Sequence, residues 1–417
     1  MTMSPPRQLR PTAPSNKHFH DLDRLRRTSP MYDAVIEQVA GRRIRIGSQW
    51  LTDFASCNYL GFDLDPEIKD SIAPMVETWG THPSWSRLLG NPRPYLDIED
   101  RLTELLGAPD TLVLPTISQI HTTVIPVLVG QGTVLMDAQA HKTIYDGCSI
   151  ARGRGATLTR FAANDPWDLE LKLRTANAAL PRLVCMDGVN SMTGNAPDLA
   201  AFARVCREYD ALLYVDDAHG FGVIGENPDQ FHPYGRRGNS IVRHFDESYD
   251  NIVLVGGFSK AYSSLMAFLA LPTEMKNLLK VAAPTYLYSG PSPTASLATV
   301  LAGMAVNDRR GDAVRSDLHR KTSLVLDTVR ALGLSTPNTS GLPIIELPLA
   351  AADDIDEVGD FLFRRGIYVT LAAYPLVPRD QVGFRVQVTA ANTDEELEEL
   401  CSVLTQLVDG FEMLPAA

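Results

Sequence analysis

Four short apolar runs in this chain of 417 residues are each followed by side chains that can take up, hold or transfer a proton. Asp216, Asp217 and His219 follow Leu212–Val215, and Lys260 follows Ile252–Val255 after a Gly256-Gly257-Phe258-Ser259 link. His141 follows Val134–Met136, and Asp187 and Ser191 follow Leu183–Met186. Singly, each has an ordinary reading. A lysine after a strand is usually a solvated surface group, and His141 alone reads as a hydrogen-bonded loop histidine. Together, in order along the chain, they describe one site.

The segment Gly220-Phe221-Gly222-Val223-Ile224-Gly225 fits GxGxxG and follows an apolar run, as a dinucleotide site requires. In such a site the glycines open directly into a helix whose N-terminus holds a diphosphate. Here they lead into Glu226-Asn227-Pro228, and two carboxylates and an imidazole already stand at the strand tip. That charge repels a diphosphate, and the plain alternative is a flexible glycine loop with solvated acids. An acid and an imidazole three residues apart, with a lysine on the next strand, suit pyridoxal phosphate instead. A carboxylate keeps its pyridine nitrogen protonated, and the cationic ring is then the electron sink for chemistry at an amino acid's Cα.

The elements that position these residues read as alternating strands and helices. The runs Leu112–Leu114, Val134–Met136, Leu158–Phe161, Leu183–Met186, Leu212–Val215 and Ile252–Val255 are apolar throughout and are mostly followed by segments of helical length. That alternation predicts a mostly parallel sheet between helices, with ligands beyond the carboxyl ends of the strands. After Ser289, helical patterns through Ala305 and from Asp312 to Leu332 lead to a second cluster: Leu342–Leu347, a helix near Ile355–Arg365, Ile367–Thr370, Phe384–Val388 and a last helix from Asp394. The fold class expected is α/β, with a smaller C-terminal α+β domain. The divisions expected are a tail and arm over 1–50, a large domain over 51–290, and the long helices with the small domain over 291–417.

Composition bounds the function. The charged residues comprise 38 Lys and Arg against 50 Asp and Glu, a net charge of −12, which opposes attraction to a nucleic-acid backbone. Cys57, Cys148, Cys185, Cys206 and Cys401 are scattered, with no CxxC and no Cys/His cluster at metal spacing, so neither a disulfide framework nor a metal site is expected. The basic, proline-rich start reads as a mobile tail without the apolar centre of a signal peptide, and no apolar run is long enough for a membrane span. A cytoplasmic protein is the expectation.

On these residues the chain resembles the α-oxoamine synthase family of fold-type I pyridoxal-phosphate enzymes, the group that contains 8-amino-7-oxononanoate synthase, 2-amino-3-ketobutyrate CoA ligase, 5-aminolaevulinate synthase and serine palmitoyltransferase. The resemblance runs from about Leu51 to Val408. It is carried by Phe54 to Phe62 (FASCNYLGF), Asp137 to Cys148 (DAQAHKTIYDGC), Asp187 to Gly194, Val215 to Glu226 (VDDAHGFGVIGE), Gly257 to Ala261, and Phe384 to Ala391. The Asp137 segment looks closest to the serine palmitoyltransferase branch.

The resemblance implies that Lys260 holds the cofactor's aldehyde, Asp216 pairs with the pyridine nitrogen, and His219 bonds the phenolic oxygen. His141 would stack on the ring and assist proton transfer, and Asp187 and Ser191 would line the cofactor pocket. Arg385 matches the arginine for the amino acid's carboxylate, a suitable bidentate partner, although alone it reads as an edge-strand surface residue. Asn58 lies in the retained NYLG segment and joins it as a substrate contact. Thr116, Ile117 and Ser259 fall where the phosphate binds, and Ser289 and Gly290 match a stretch that reaches a neighbouring subunit's phosphate. A homodimer with shared active sites is therefore implied.

Four departures accompany the likeness. Pro115-Thr116-Ile117-Ser118-Gln119 replaces a small-Gly-aromatic turn. Gly257 stands where a phosphate-binding threonine is usual. Ser263 to Ala267 replaces a glycine pair, and Cys57 replaces an asparagine. The reaction implied joins a small α-amino acid (glycine, alanine or serine) to an acyl thioester, on CoA or a carrier protein, with loss of CO₂ to give an α-amino ketone. An aminotransferase or lyase on the same fold, or a non-catalytic partner subunit, are the alternatives.

Overall fold

The computed structural model describes residues 20–415, so the proline-rich start falls outside the described residues. Three strands come first, β1 (Ile36–Ala40), β2 (Arg43–Ile46) and β3 (Gln49–Asp53). Seven follow: β4 (Asp110–Leu114), β5 (Thr133–Asp137), β6 (Thr157–Phe161), β7 (Arg182–Asp187), β8 (Leu212–Asp216), β9 (Ile252–Gly257) and β10 (Ala267–Leu271). The last four are β11 (Ile344–Pro348), β12 (Ile367–Tyr368), β13 (Thr370–Ala372) and β14 (Gly383–Gln387).

The middle seven form one sheet in the order β4-β10-β9-β8-β7-β5-β6. Pairing is parallel from β6 through β9, and β10 runs antiparallel to both β9 and β4. All but β10 therefore point the same way, and the α/β architecture is as the sequence predicts. The apolar runs have a simple cause. Successive strand residues alternate between two cores: Val113, Leu135, Val184 and Leu213 pack in one, and Leu112, Val134, Leu183 and Tyr214 in the other. A strand covered by helices on both faces has no solvent side to carry polar residues.

Two local expectations are corrected. The sequence reading assigned no strand after Lys260, yet Ala267–Leu271 is a wholly buried strand. It follows a tight loop rather than a helix, so the alternation that revealed its neighbours is missing there. The two helical patterns after Ser289 are one helix of 38 residues, Thr294–Ala331. Part of the polar stretch that seemed to divide them faces protein: Asn307 Nδ2 donates to the Arg237 carbonyl, and buried Arg315 donates to Asn307 Oδ1 and the Gly222 carbonyl. Tertiary hydrogen bonds satisfy groups that a helical wheel assigns to water.

The C-terminal part contains a three-stranded antiparallel sheet, β11-β14-β13, as read from the second cluster. Its companion strand β12 joins the N-terminal sheet β1-β2-β3-β12, pairing in parallel with β3 through Ile367↔Thr52 and Tyr368↔Asp53. The division drawn after residue 50 thus cuts β3. Parallel pairing across more than three hundred residues leaves no local trace in the sequence.

Candidate active site

The sheet's carboxyl edge opens into a cleft of ≈ 690 Å³ that lies against the three-stranded sheet. Asp216 ends the central strand β8, and Asp187 ends β7 directly beside it in register. Lys260 sits on the loop between β9 and β10. Phe258 and Tyr262, two residues to either side, are fully buried and pack with Phe221 and Phe268 at centroid separations of 4.7–5.5 Å. Each such aromatic pair is worth about 0.5–1.5 kcal/mol beyond its buried area, so the lysine's backbone is clamped from both sides.

The glycine loop after β8 contributes to the same clamp. Gly222 has φ +86°, and a Cβ there would come 2.6 Å from the Cβ of Ala261, next to the lysine. The segment forms turns rather than a helix. Its glycines allow backbone approach to the lysine loop, and the GxGxxG likeness needs no diphosphate to explain it.

Three carboxyl groups crowd the ends of β7 and β8, and the surroundings separate them. Burial pushes Asp216 upward, but a hydrogen bond from His121, the charge of that imidazole and the charge of Lys260 outweigh it and hold the group below the ordinary aspartate value. Burial, with the Asp216 charge, holds Asp187 well above that value, and burial pushes Asp217 up to about 8. Asp216 is thus the member of the trio held toward the ionised form, and its two neighbours are shifted toward the protonated form. Asp187 Oδ1 accepts the His141 N–H, while its buried Oδ2 has no partner.

His141 caps the helix Lys142–Gly153, with its Nδ1 held 2.8 Å from the Thr143 hydroxyl. His219 is buried, and burial followed by the Lys260 charge drops it well below the usual histidine value, so the ring is neutral. Its Nδ1 lies 2.8 Å from the Tyr59 hydroxyl. With Tyr59 as the donor, the ring proton belongs on Nε2. The Asn190 side chain accepts the amides of Met192 and Thr193, an Asx turn that shapes the loop carrying Ser191. Arg385, on β14, donates from Nη1 to the Ser191 carbonyl.

The cleft therefore gathers Lys260, Asp216, His219, His141, Asp187, Ser191, Thr116, Ile117, Ser259 and Arg385. Asn58 is not among the residues that line the cleft. Its amide donates to Asp63 and its carbonyl accepts from Arg42, inside the buried Arg42–Asp63 ion pair. The preceding residue, Cys57, lines the cleft instead, its thiol 2.7 Å from Gln387 Oε1. Ser289 and Gly290 border a smaller pocket with Arg87 and Tyr95, and the Ser289 hydroxyl donates to Gln119. Two residues escaped the sequence reading, His121 and Tyr59. Both are buried and stand behind cleft residues, His121 behind Asp216 and Tyr59 behind His219. The one available signal was His121 standing four residues into the helix of the altered Pro115–Gln119 turn.

The residues fit pyridoxal phosphate by the chemistry of their donors. An ionised buried carboxylate, a neutral acid with an unpartnered oxygen, a neutral imidazole and a lysine suit a cationic ring bearing a phenolic oxygen and an aldehyde. At the other end, the helix Ile117–Val129 starts at the cleft, where Thr116, Ile117 and Ser118 line it and Thr116 caps the Gln119 amide. Such a helix start accepts a phosphate. The missing threonine has a steric counterpart: a Cβ on Gly257 would stand 2.6 Å from Ile117 Cδ1. The Ile117 side chain occupies the space that a side chain at position 257 would need. Among the described residues no cluster of His, Cys, Asp or Glu is arranged to hold a metal ion, and no helix is long and apolar enough to cross a membrane.

Comparison with known proteins agrees with this geometry. Residues 53–404 match the family described as aminotransferase class I and II. The chain is 30% identical over 375 residues to 8-amino-7-oxononanoate synthase of Stutzerimonas stutzeri, covering 89% of this chain and 91% of that one. It is 31% identical over 392 residues to the Pseudomonas putida enzyme of that name, covering 93% and 96%. A high-resolution structure of SPT with PLP superimposes with a TM-score of 0.84 at 23% identity, over 93% of this chain and 96% of that one, and shares the fold.

Proposed function

Because the chain belongs to the class I and II aminotransferase family, and within it to the α-oxoamine synthases, we propose that it is a pyridoxal-phosphate enzyme joining a small α-amino acid to an acyl thioester, with release of CO₂ and the free thiol, to give an α-amino ketone. The observation that carries the reading is the convergence in one cleft of Lys260, an ionised Asp216 and Arg385, each from a separate element.

When bound, the cofactor supplies an aldehyde for the amino acid's amine and a cationic ring that accepts the electron pair left at Cα. Asp216 would hold the ring nitrogen in its protonated form, and His219 would hold the phenolic oxygen. His141 and the neutral Asp187 complete the ring's surroundings. The amides at Ile117, with Thr116 and Ser259, take the phosphate. Lys260 holds the aldehyde in the resting enzyme. Its amine, in the same cleft as Arg385, would also serve as the base for the Cα proton, assistance typically worth about 10²–10⁴ in rate. Arg385 holds the substrate carboxylate.

Glycine, alanine and serine are the candidate amino acids, and CoA or a carrier protein the candidate acyl carrier. The reading extends to a cytoplasmic homodimer. It is supported by five free cysteines and by exposed apolar side chains grouped where Ser86 bonds the Leu287 carbonyl: Leu88, Leu89 and Tyr288. The deciding experiment is the absorbance spectrum of the purified protein as glycine, alanine and serine are added singly, followed by a panel of acyl-CoAs with CoA release monitored. A visible band that shifts with one amino acid, and CoA release with a matching acyl donor, is the expected result. A colourless protein, or conversion to the pyridoxamine form without release of any thiol, refutes it.

A further inference from the structure

One buried acid is left without a task by this scheme. Glu346 lies on β11 directly opposite Arg385 on β14, and Arg385 lies opposite Thr370 on β13. Opposed residues of antiparallel strands share a face with Cβ atoms about 4.5–5.5 Å apart, so the three form a row across the sheet. Arg385 and Thr370 line the cleft. Glu346 is 3% exposed, and its buried Oε1 has no hydrogen-bond partner. Arg385 Nε is also buried and without a partner, because the guanidinium reaches away to the Ser191 carbonyl and the Met192 sulfur. Two unsatisfied groups of opposite character thus face each other across one strand gap, beside the place where a substrate carboxylate is to bind.

Neighbouring charges are few. Burial pushes Glu346 up to about 7, and Arg385 is the one charged group whose field acts against that. Thr370 on β13, and Ser191 and Met192 on the β7 loop, are neutral. One half-buried guanidinium can compensate one carboxylate; a second leaves an unpaired charge beside buried Glu346. We propose that Glu346 is a positioning residue that shares Arg385 with the substrate: it ionises against the arginine when the site is empty and takes up a proton when the amino acid's carboxylate arrives.

This inference rests on the assignment of Arg385 to the substrate carboxylate. The linkage sign follows directly. The amino-acid complex holds the Glu346 proton more tightly than the free enzyme, so affinity is full below the free-enzyme value near 7 and falls as pH rises through it.

The test uses the holoenzyme and whichever of glycine, alanine or serine shifts its spectrum, with Kd measured between pH 6 and 8.5. Proton uptake is read by calorimetry in buffers of different ionisation enthalpy. Wild type should bind roughly tenfold more weakly at pH 8.5 than at pH 6.5 and should take up close to one proton more per site than E346Q. E346Q, which keeps an acceptor for Arg385, should lose most of that slope while retaining its absorbance band. An infrared difference spectrum of wild type alone should gain the carbonyl stretch of a protonated carboxyl when amino acid is added. No such band, or an unaltered slope in E346Q, overturns the proposal. R385A separates the two failures: unaffected amino-acid binding in R385A refutes the carboxylate assignment itself, whereas weakened binding with an unaltered E346Q slope refutes only the role of Glu346.

Discussion

His121 Nε2 lies 2.9 Å from Asp216 Oδ2, and the other nitrogen of the same buried ring lies 2.9 Å from the Tyr214 hydroxyl. Asp216 must stay ionised in a fully enclosed position, and this bond is the largest influence opposing its burial. Replacing His121 with Phe leaves a buried carboxylate short of a donor, a loss of about 1–3 kcal/mol. Cofactor retention, measured by dialysis and absorbance, should weaken by roughly 10–100-fold, with a matching loss of turnover. His121→Asn, whose amide can still donate, should recover part of both; equal losses in the two variants would mean that only volume matters at this position.

Lys260→Ala should retain the cofactor without a covalent link. Borohydride reduction followed by mass spectrometry should label the wild type and not the variant, and turnover should fall by at least about 10²–10⁴-fold. Normal turnover in the variant would remove Lys260 from the chemistry.

The contact between Ile117 and the empty side of Gly257 predicts a coupled pair. Gly257→Thr alone overfills the space and should cost about 1–3 kcal/mol in chemical denaturation. Adding Ile117→Ala should recover most of that loss, with a coupling energy on the order of 1 kcal/mol. Strictly additive losses would show that the two side chains do not compete for one space.

Asp217 sets a pH trend in stability. Its folded value of about 8 exceeds the ordinary aspartate value, so its neutral form favours folding at low pH, and that contribution disappears as pH rises toward 8. The group lowers stability by at most about 1.4 kcal/mol per pH unit across that window. Asp217→Asn keeps an acceptor for the Ile241 amide and should flatten this part of the curve of stability against pH, measured by urea unfolding. A slope identical to wild type would place the ionisation elsewhere.

The sequence alone determined the parallel strands, because strands enclosed between two cores carry unbroken apolar runs, and it identified the residues at their carboxyl ends, because cofactor chemistry demands particular side chains there. Lys260, Asp216 and His219 were legible for that reason, whereas Arg385, in the middle of β14, was reached only through the family likeness. Which side of a turn a residue occupies was not: Asn58 and Cys57 are neighbours in sequence, yet Cys57 lines the cleft while the Asn58 amide bonds Asp63. The supports His121 and Tyr59, the pairing of β3 with β12 and the opposition of Glu346 to Arg385 likewise depend on contacts between distant segments. Local pattern records burial and backbone preference, whereas the distance between two side chains, and therefore which of them is ionised, exists only once the chain has closed on itself.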